Sequence, residues 1–275
     1  MTKHALAVTA YNRPEHFSKV MSMVEKHHNG PLYIFIDGPK DAADNTFVQE
    51  VRWQAREFSE ARIITFPYNR GLRRSIKEAV DTVLSENDTI ILLEDDCLPG
   101  PYFFEYMYDC LNIYAKIDEV MGVSGYTIPI PEEIRKTFPW DIYFVPRAGS
   151  WGWGTWRRAW DHLIWDIPTV LKRLDEYDID ITQGGHDVLE YARQVVEEDR
   201  DLWTPAWILS IYLRYGLYAY PMVSHIRNIG WDGSGANCVC SQRYETNMAT
   251  RPTASFPLKP IIASKTYDHF RTKYK

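Results

Sequence analysis

Cysteine is scarce: Cys97, Cys110, Cys238 and Cys240 are the only four in 275 residues, with no CxxC pair and no histidine at zinc-site spacing. A disulfide scaffold is not expected at this size, a structural zinc module finds no ligand pattern, and a reducing compartment is the simpler setting. Long apolar runs are also missing. Ala5–Ala10 is shorter than a signal-peptide core and runs straight into Asn12-Arg13-Pro14, and no stretch reaches the roughly 20 apolar residues that cross a bilayer. A cytoplasmic protein is the expectation. Basic charge is in deficit, 31 Lys and Arg against 37 Asp and Glu for a net charge of −6, so no nucleic-acid partner is expected. Internal repeats and low-complexity tracts are absent, which removes solenoids, collagen and coiled coil.

Aromatic residues are plentiful: 10 Trp, 18 Tyr and 11 Phe make 14% of the chain. Large rings suit a core, and they equally suit a cleft that stacks sugar rings or bases. Apolar residues at 45% are ample for one large α/β domain.

The first 125 residues alternate short apolar runs with amphipathic stretches. Strands are expected at Ala5–Ala10, Leu32–Ile36, Arg62–Phe66, Thr89–Leu93 and Val120–Ser124. Between them, helices are expected from Pro14, around Phe47–Phe58, over Gly71–Leu84 and over Tyr102–Ala115. This rhythm implies an α/β fold, a Rossmann-like, mostly parallel sheet with helices on both faces, and ligands beyond the carboxyl ends of its strands. Residues 126–243 read as a helical, Trp-rich second half of the same domain, with a Pro-rich loop at Pro129–Pro139 and the segment Trp151-Gly-Trp-Gly-Thr-Trp156. Helices are expected over Pro168–Glu176, His186–Glu198 and Trp203–Tyr215, and residues 244–275 show little periodicity, as a surface-wrapping tail would.

Glu94-Asp95-Asp96 ends the fourth apolar run. Three acids at a strand end repel one another without a cation, and their hard oxygens suit Mn²⁺ or Mg²⁺, which would also take the oxygens of a diphosphate.

The segment Ile90-Ile-Leu-Leu-Glu-Asp-Asp-Cys-Leu-Pro-Gly-Pro-Tyr-Phe-Phe-Glu-Tyr106 closely resembles the metal-binding segment of N-acetylglucosaminyltransferase I and its bacterial relatives, nucleotide-sugar glycosyltransferases of the GT-A fold. Tyr11-Asn12-Arg13, Asp37, Asn69-Arg70-Gly71-Leu72 with Ser75, Gly216-Leu217 and Asn228-Ile-Gly230 extend the resemblance over residues 5–237. It implies a GT-A-like fold and a metal-dependent, inverting transfer from a nucleotide-diphosphate sugar, most simply UDP-linked, to a saccharide or lipid-linked acceptor. A lipid-linked acceptor would bring peripheral membrane association at the inner face. Polysaccharide biosynthesis is the expected setting. By the same resemblance Asp96 would be the metal ligand, Asp95 would contact the ribose or sugar and Glu94 would orient the donor. Arg13 would face the diphosphate, Asp37 would accept a hydrogen bond from uracil, and Asn69 would belong to the donor site. Asp37-Gly38-Pro39 is equally explained as a turn.

An inverting transferase needs a general base for the acceptor hydroxyl. Relatives carry it in a Trp-rich segment before a helix, and here that stretch reads Asp201-Leu-Trp-Thr-Pro-Ala-Trp207, with Thr204 or its neighbours Pro205 and Ala206 where an acid is expected. Asp232, in the Gly-rich run Gly230-Trp-Asp-Gly233, is placed ahead of Asp201, and Asp187 is a third choice, more simply a helix N-terminal charge. His225 is considered as a further metal or phosphate ligand against a plain structural role. Two other readings stay open. A sugar nucleotidyltransferase shares the acids but carries a glycine-rich phosphate loop that Thr9–Pro14 lacks, and a non-catalytic nucleotide-sugar or carbohydrate-binding protein would explain the missing acid near Thr204.

Overall fold

Apolar but for Thr9, Ala5–Ala10 forms β1, buried at every position, and Pro14 then opens helix α1 (Pro14–His27) at a position where its missing N–H costs nothing. Phe17, Val20, Met21 and Val24 recur at helical spacing and form the buried face of α1. The chain continues through β2 (Leu32–Ile36), α2 (Ala42–Ala55), β3 (Arg62–Thr65), α3 (Leu72–Glu86) and β4 (Thr89–Glu94). In this computed structural model residues 3–233 and 244–274 are described; Cys238 and Cys240 lie outside them.

After β4 come β5 (Cys97–Pro99), α4 (Phe103–Ile113), β6 (Val120–Ser124), α5 (Glu132–Thr137), β7 (Ile142–Val145), β8 (Trp153–Trp156) and α6 (Arg157–Trp160). Helices α7 (Ile167–Glu176), α8 (Asp187–Glu197) and α9 (Thr204–Tyr212), strands β9 (Leu217–Pro221) and β10 (Ile226–Asn228), and α10 (Ser264–Lys273) complete the order. One eight-stranded sheet runs β3-β2-β1-β4-β8-β6-β9-β7, with β8 and β7 antiparallel to their neighbours. All five expected strands are present, and the sheet is mostly parallel.

Two features differ from the sequence expectations. The Pro-rich loop contains α5, and the segment after 244 ends in α10, whose Phe270 is fully buried against Tyr220 at 5.2 Å between ring centroids. A single deeply buried ring, rather than a repeating apolar stripe, fixes that helix, so periodicity gave no signal. The tryptophans divide as their double reading allowed. Trp153 stacks on Trp203 at 5.0 Å and Trp160 lies 5.1 Å from Trp207, so most of the Trp-rich segment is core, while Trp151 stays half-buried at the cleft.

The order β3-β2-β1-β4 sets the site. The chain moves outward from β1 to β3, then returns to place β4 on the other side of β1, so loops leaving β1 and β4 diverge and leave a crevice between them. Register pairs Thr9 with Glu94, which brings Tyr11–Arg13 beside Asp95 and Asp96. The small antiparallel sheet of β5 and β10 pairs Cys97 with Asn228 and folds Asn228–Gly230 over the acids.

Candidate donor cleft

A cleft of about 470 Å³ opens at this crevice, and Arg13, Asp37, Asn69, Glu94, Asp95, Asp96 and Asp201 all line it. Asp232 lines neither this cleft nor its neighbour; its carboxylate lies 3.1 Å from His16 Nε2 on α1.

Arg13 is the charge centre. Its guanidinium bonds Asp95 and reaches Asp96 Oδ2 at 2.9 Å, while the Tyr11 backbone N–H donates to the other Asp95 oxygen at 3.1 Å. Burial pulls the Arg13 pKa down, but the two carboxylates prevail and hold it above its ordinary value. Glu94 is pushed up to about 8, first by burial and then by the Asp96 and Asp95 charges, with Arg13 opposing. Burial also raises Asp95, against the pull of Arg13. Three acids on one cation therefore remain short of positive charge. Gly230 completes the close packing: a Cβ there would strike Asp96 Oδ2, and the Ile229 N–H donates to the Asp96 carbonyl at 2.8 Å.

Asp95 and Asp96 are the side chains that could hold a divalent metal: each turns an oxygen to the Arg13 guanidinium, on separate nitrogens, and among the described residues no group of three or more acid, His or Cys side chains is placed to hold a metal ion. One or two carboxylates, with remaining positions taken by substrate phosphates, is the usual arrangement for a small hard cation.

Asp37 is an organiser of the loop before α3. Oδ1 accepts from Gly38 N at 2.8 Å and Arg70 N at 2.9 Å, and Oδ2 accepts from Asn69 Nδ2 and Gly71 N, both at 3.1 Å. Burial raises its pKa, opposed by the Arg70, Gly38 and Gly71 N–H groups and the Ser75 hydroxyl. Asn69 Nδ2 also donates to Gly38 O, so both residues expected at the donor are bound first to one another. Asp201 reaches the same loop from the far half of the chain, accepting from Leu72 N at 2.5 Å and Arg73 N at 2.8 Å.

Of its two readings, His225 takes the structural one. It is buried, stacks on Tyr106 at 4.5 Å, bonds Thr253 Oγ1 at 3.0 Å and lines neither cavity. Asp187 is likewise committed, to a two-pronged pair with Arg147 at 2.7 and 2.9 Å. Sequence reasoning missed Asp44, which binds the Tyr11 hydroxyl and accepts from Asn12 Nδ2 at 2.8 Å, tying the β1–α1 loop to α2. Asp44 reads as an ordinary first-turn acid, and nothing in the local pattern marks it.

No protein-family model and no curated protein matches the sequence. Among solved structures, GalNAc-T7 with UDP, GalNAc and Mn²⁺ is similar at TM-score 0.53 and 10% identity, over 84% of this chain and 45% of that one. The S. aureus TarS fragment 1–349 is similar at TM-score 0.47 and 11% identity, over 82% of this chain and 60% of that one. A Pyrobaculum calidifontis mannosyltransferase, PcManGT, in complex with GDP-Man and Mn²⁺ follows at TM-score 0.39 and 13% identity, over 62% and 46%. The chain thus spans about half of the length of the solved structures it resembles. What the GalNAc-T7 likeness carries is the fold, coarser than the N-acetylglucosaminyltransferase I resemblance of the acidic segment: the chain has the α/β fold of GT-A glycosyltransferases.

Proposed function

We propose that the protein is a metal-dependent glycosyltransferase that takes a nucleotide-diphosphate sugar in the β1–β4 cleft. The observation that carries this reading is Asp95 and Asp96 converging on Arg13 at the switch point of a parallel sheet, within a cleft of about 470 Å³. The GalNAc-T7 complex with UDP and Mn²⁺, on the same fold, supports the donor class.

A bound Mn²⁺ or Mg²⁺ would be held by Asp96, with Asp95 beside it, and supplies charge neutralisation to the departing diphosphate. Arg13 adds positive charge at the same point and keeps the acids aligned. Asp37 and Asn69 hold the loop that faces the nucleotide. An acceptor hydroxyl attacks the anomeric carbon, the bond to the diphosphate oxygen breaks, and a carboxylate takes the hydroxyl proton.

For that base the geometry favours Asp201 over Asp232. Asp201 lines the cleft beside Leu202 and Thr204, and its two backbone donors fix the orientation of its carboxylate. The deciding experiment incubates the protein with Mn²⁺ and a panel of UDP- and GDP-sugars and follows nucleotide release and glycosylated product. Thermal stabilisation by a nucleotide sugar with no release for any acceptor would favour the non-catalytic binding reading, which the Thr204 substitution keeps in play.

A further inference from the structure

The C-terminal segment carries charge opposite in sign to the rest of the protein. Residues 244–275 hold six Lys and Arg against two Asp and Glu, a net +4, while the 243 residues before them stand at −10. Between Glu245 and Asp268 lie 22 residues without an acid. Within five positions of that run three large apolar side chains are exposed: Leu258 at 77%, Ile261 at 67% and Ile262 at 40%. Lys259 sits among them and Lys265 follows, both exposed and paired with no acid among the described residues. We propose that the face formed by Leu258–Lys265 docks on the surface of a bilayer that contains anionic lipid. The proposal does not depend on the transferase reading.

The segment is tied down on both sides of the exposed residues. Asp141 N donates to Ser255 O at 3.0 Å, and its carboxylate accepts from Ala254 N at 2.9 Å and from Arg251 at 2.8 Å. Pro257 is buried, and beyond the apolar run Thr266 and Phe270 on α10 are buried as well. Leu258, Ile261 and Ile262 therefore face outward on a fixed backbone. Trp140, 42% exposed, directly precedes Asp141, so an indole borders the anchoring point. Tyr244 and Tyr274, near the ends of the segment, line a cavity of about 260 Å³ beside the donor cleft, with which it shares Trp151 and Thr204. The tail that meets the bilayer is thus also part of the wall next to the site.

Charge and shape together select the occupant. Aliphatic side chains can enter the acyl boundary while the interleaved lysines keep their ammonium groups among the headgroup phosphates on long apolar stems. A body at −10 is repelled by an anionic surface, so only a tail-first approach presents positive charge to it. Two copies joined face to face across a two-fold axis would set lysine against lysine. Pro257 and Pro260 remove backbone donors, which makes the segment a poor added strand for a partner chain.

The test is co-sedimentation of the whole chain with vesicles of phosphatidylcholine alone and with about 30 mol % phosphatidylglycerol. Binding is expected to the mixed vesicles and to fall as salt rises, because screening shortens the reach of the lysines. Lys259→Gln with Lys265→Gln should weaken it more than tenfold, at about fivefold for each lysine. Leu258→Ser with Ile261→Ser should weaken it by roughly the same factor. All four residues line neither cavity, so melting temperature and UDP–Mn²⁺ binding should stay at wild-type values in both double variants. Absence of binding to the mixed vesicles, equal binding to pure phosphatidylcholine, or binding that survives both double variants overturns the proposal. A solution dimer that Leu258→Ser with Ile261→Ser dissociates would also overturn it and give the face to a second copy. Nucleotide release is measured without vesicles, so this proposal and the transferase reading can each fail alone.

Discussion

The carboxylate of Asp201 accepts the backbone N–H of Leu72, 129 positions earlier in the chain, and that of Arg73 beside it. Gly71, φ +81°, is the N-cap of helix α3 and provides no capping side chain, and Asp201 supplies the missing acceptor from the other half of the molecule. A Cβ on Gly71 would collide with that carboxylate, so glycine here serves both the left-handed backbone and the close approach.

Capping and catalysis at Asp201 separate in two variants. Asn caps nearly as well as Asp, so Asp201→Asn should leave stability within about 0.5 kcal/mol, and Asp201→Ala should cost about 1 kcal/mol. If Asp201 is the base, the Asn variant loses roughly 10²–10⁴-fold in turnover with donor affinity retained. Wild-type turnover in Asp201→Asn would reduce the residue to a cap and return attention to Asp232.

Removing Arg13 strands three acids. Arg13→Met should destabilise the metal-free protein by about 3 kcal/mol, as breaking a buried pair on one side does, and Mn²⁺ should restore part of that loss. Asp96→Ala relieves repulsion instead and should abolish Mn²⁺-dependent UDP binding with little change in unfolding. Denaturant melts with and without Mn²⁺ check both. Absence of Mn²⁺ rescue in Arg13→Met, together with intact Mn²⁺–UDP binding in Asp96→Ala, would remove the metal assignment.

Asp37→Ala orphans the N–H groups of Gly38, Arg70 and Gly71 together. At about 1–3 kcal/mol for each unsatisfied buried donor, the fold should lose several kcal/mol and the donor KM should rise with it. A raised KM with unchanged stability would show contact with the nucleotide and little loop-holding.

Burial pushes His225 and His28 down to about 4, with the Asp141 charge opposing at His225 and the Pro31 and Gly30 backbone bonds opposing at His28. Each is neutral in the folded protein where the unfolded chain already binds a proton, so stability is full above pH 6.5 and is lost as pH falls toward 4. At pH 5 one such histidine costs about 2 kcal/mol. His225→Phe keeps a ring against Tyr106 and should flatten the fall in melting temperature between pH 7 and 5. An unchanged slope would mean His225 already carries a proton in the folded state.

The sequence by itself determined the alternating elements of the first half and the meeting of Arg13, Asp37 and the Glu94–Asp96 triplet at one sheet edge. Apolar runs of strand length separated by amphipathic helices permit little but a parallel sheet, and parallel strands send all their carboxyl-end loops the same way. The aromatic content was legible as an amount and illegible as a place: the indoles of 151–160 differ in fate because β8 inserts between β4 and β6, a pairing no local pattern encodes. Only the tertiary structure decided that Asp201 caps α3, that Asp187 neutralises Arg147, that His225 is core, and that a second cavity opens beside the cleft. Each of these joins residues distant in sequence, and which lone pair or ring face remains available at a site is settled by such long-range partners, whose chemistry the chain spells out but whose meeting only folding fixes.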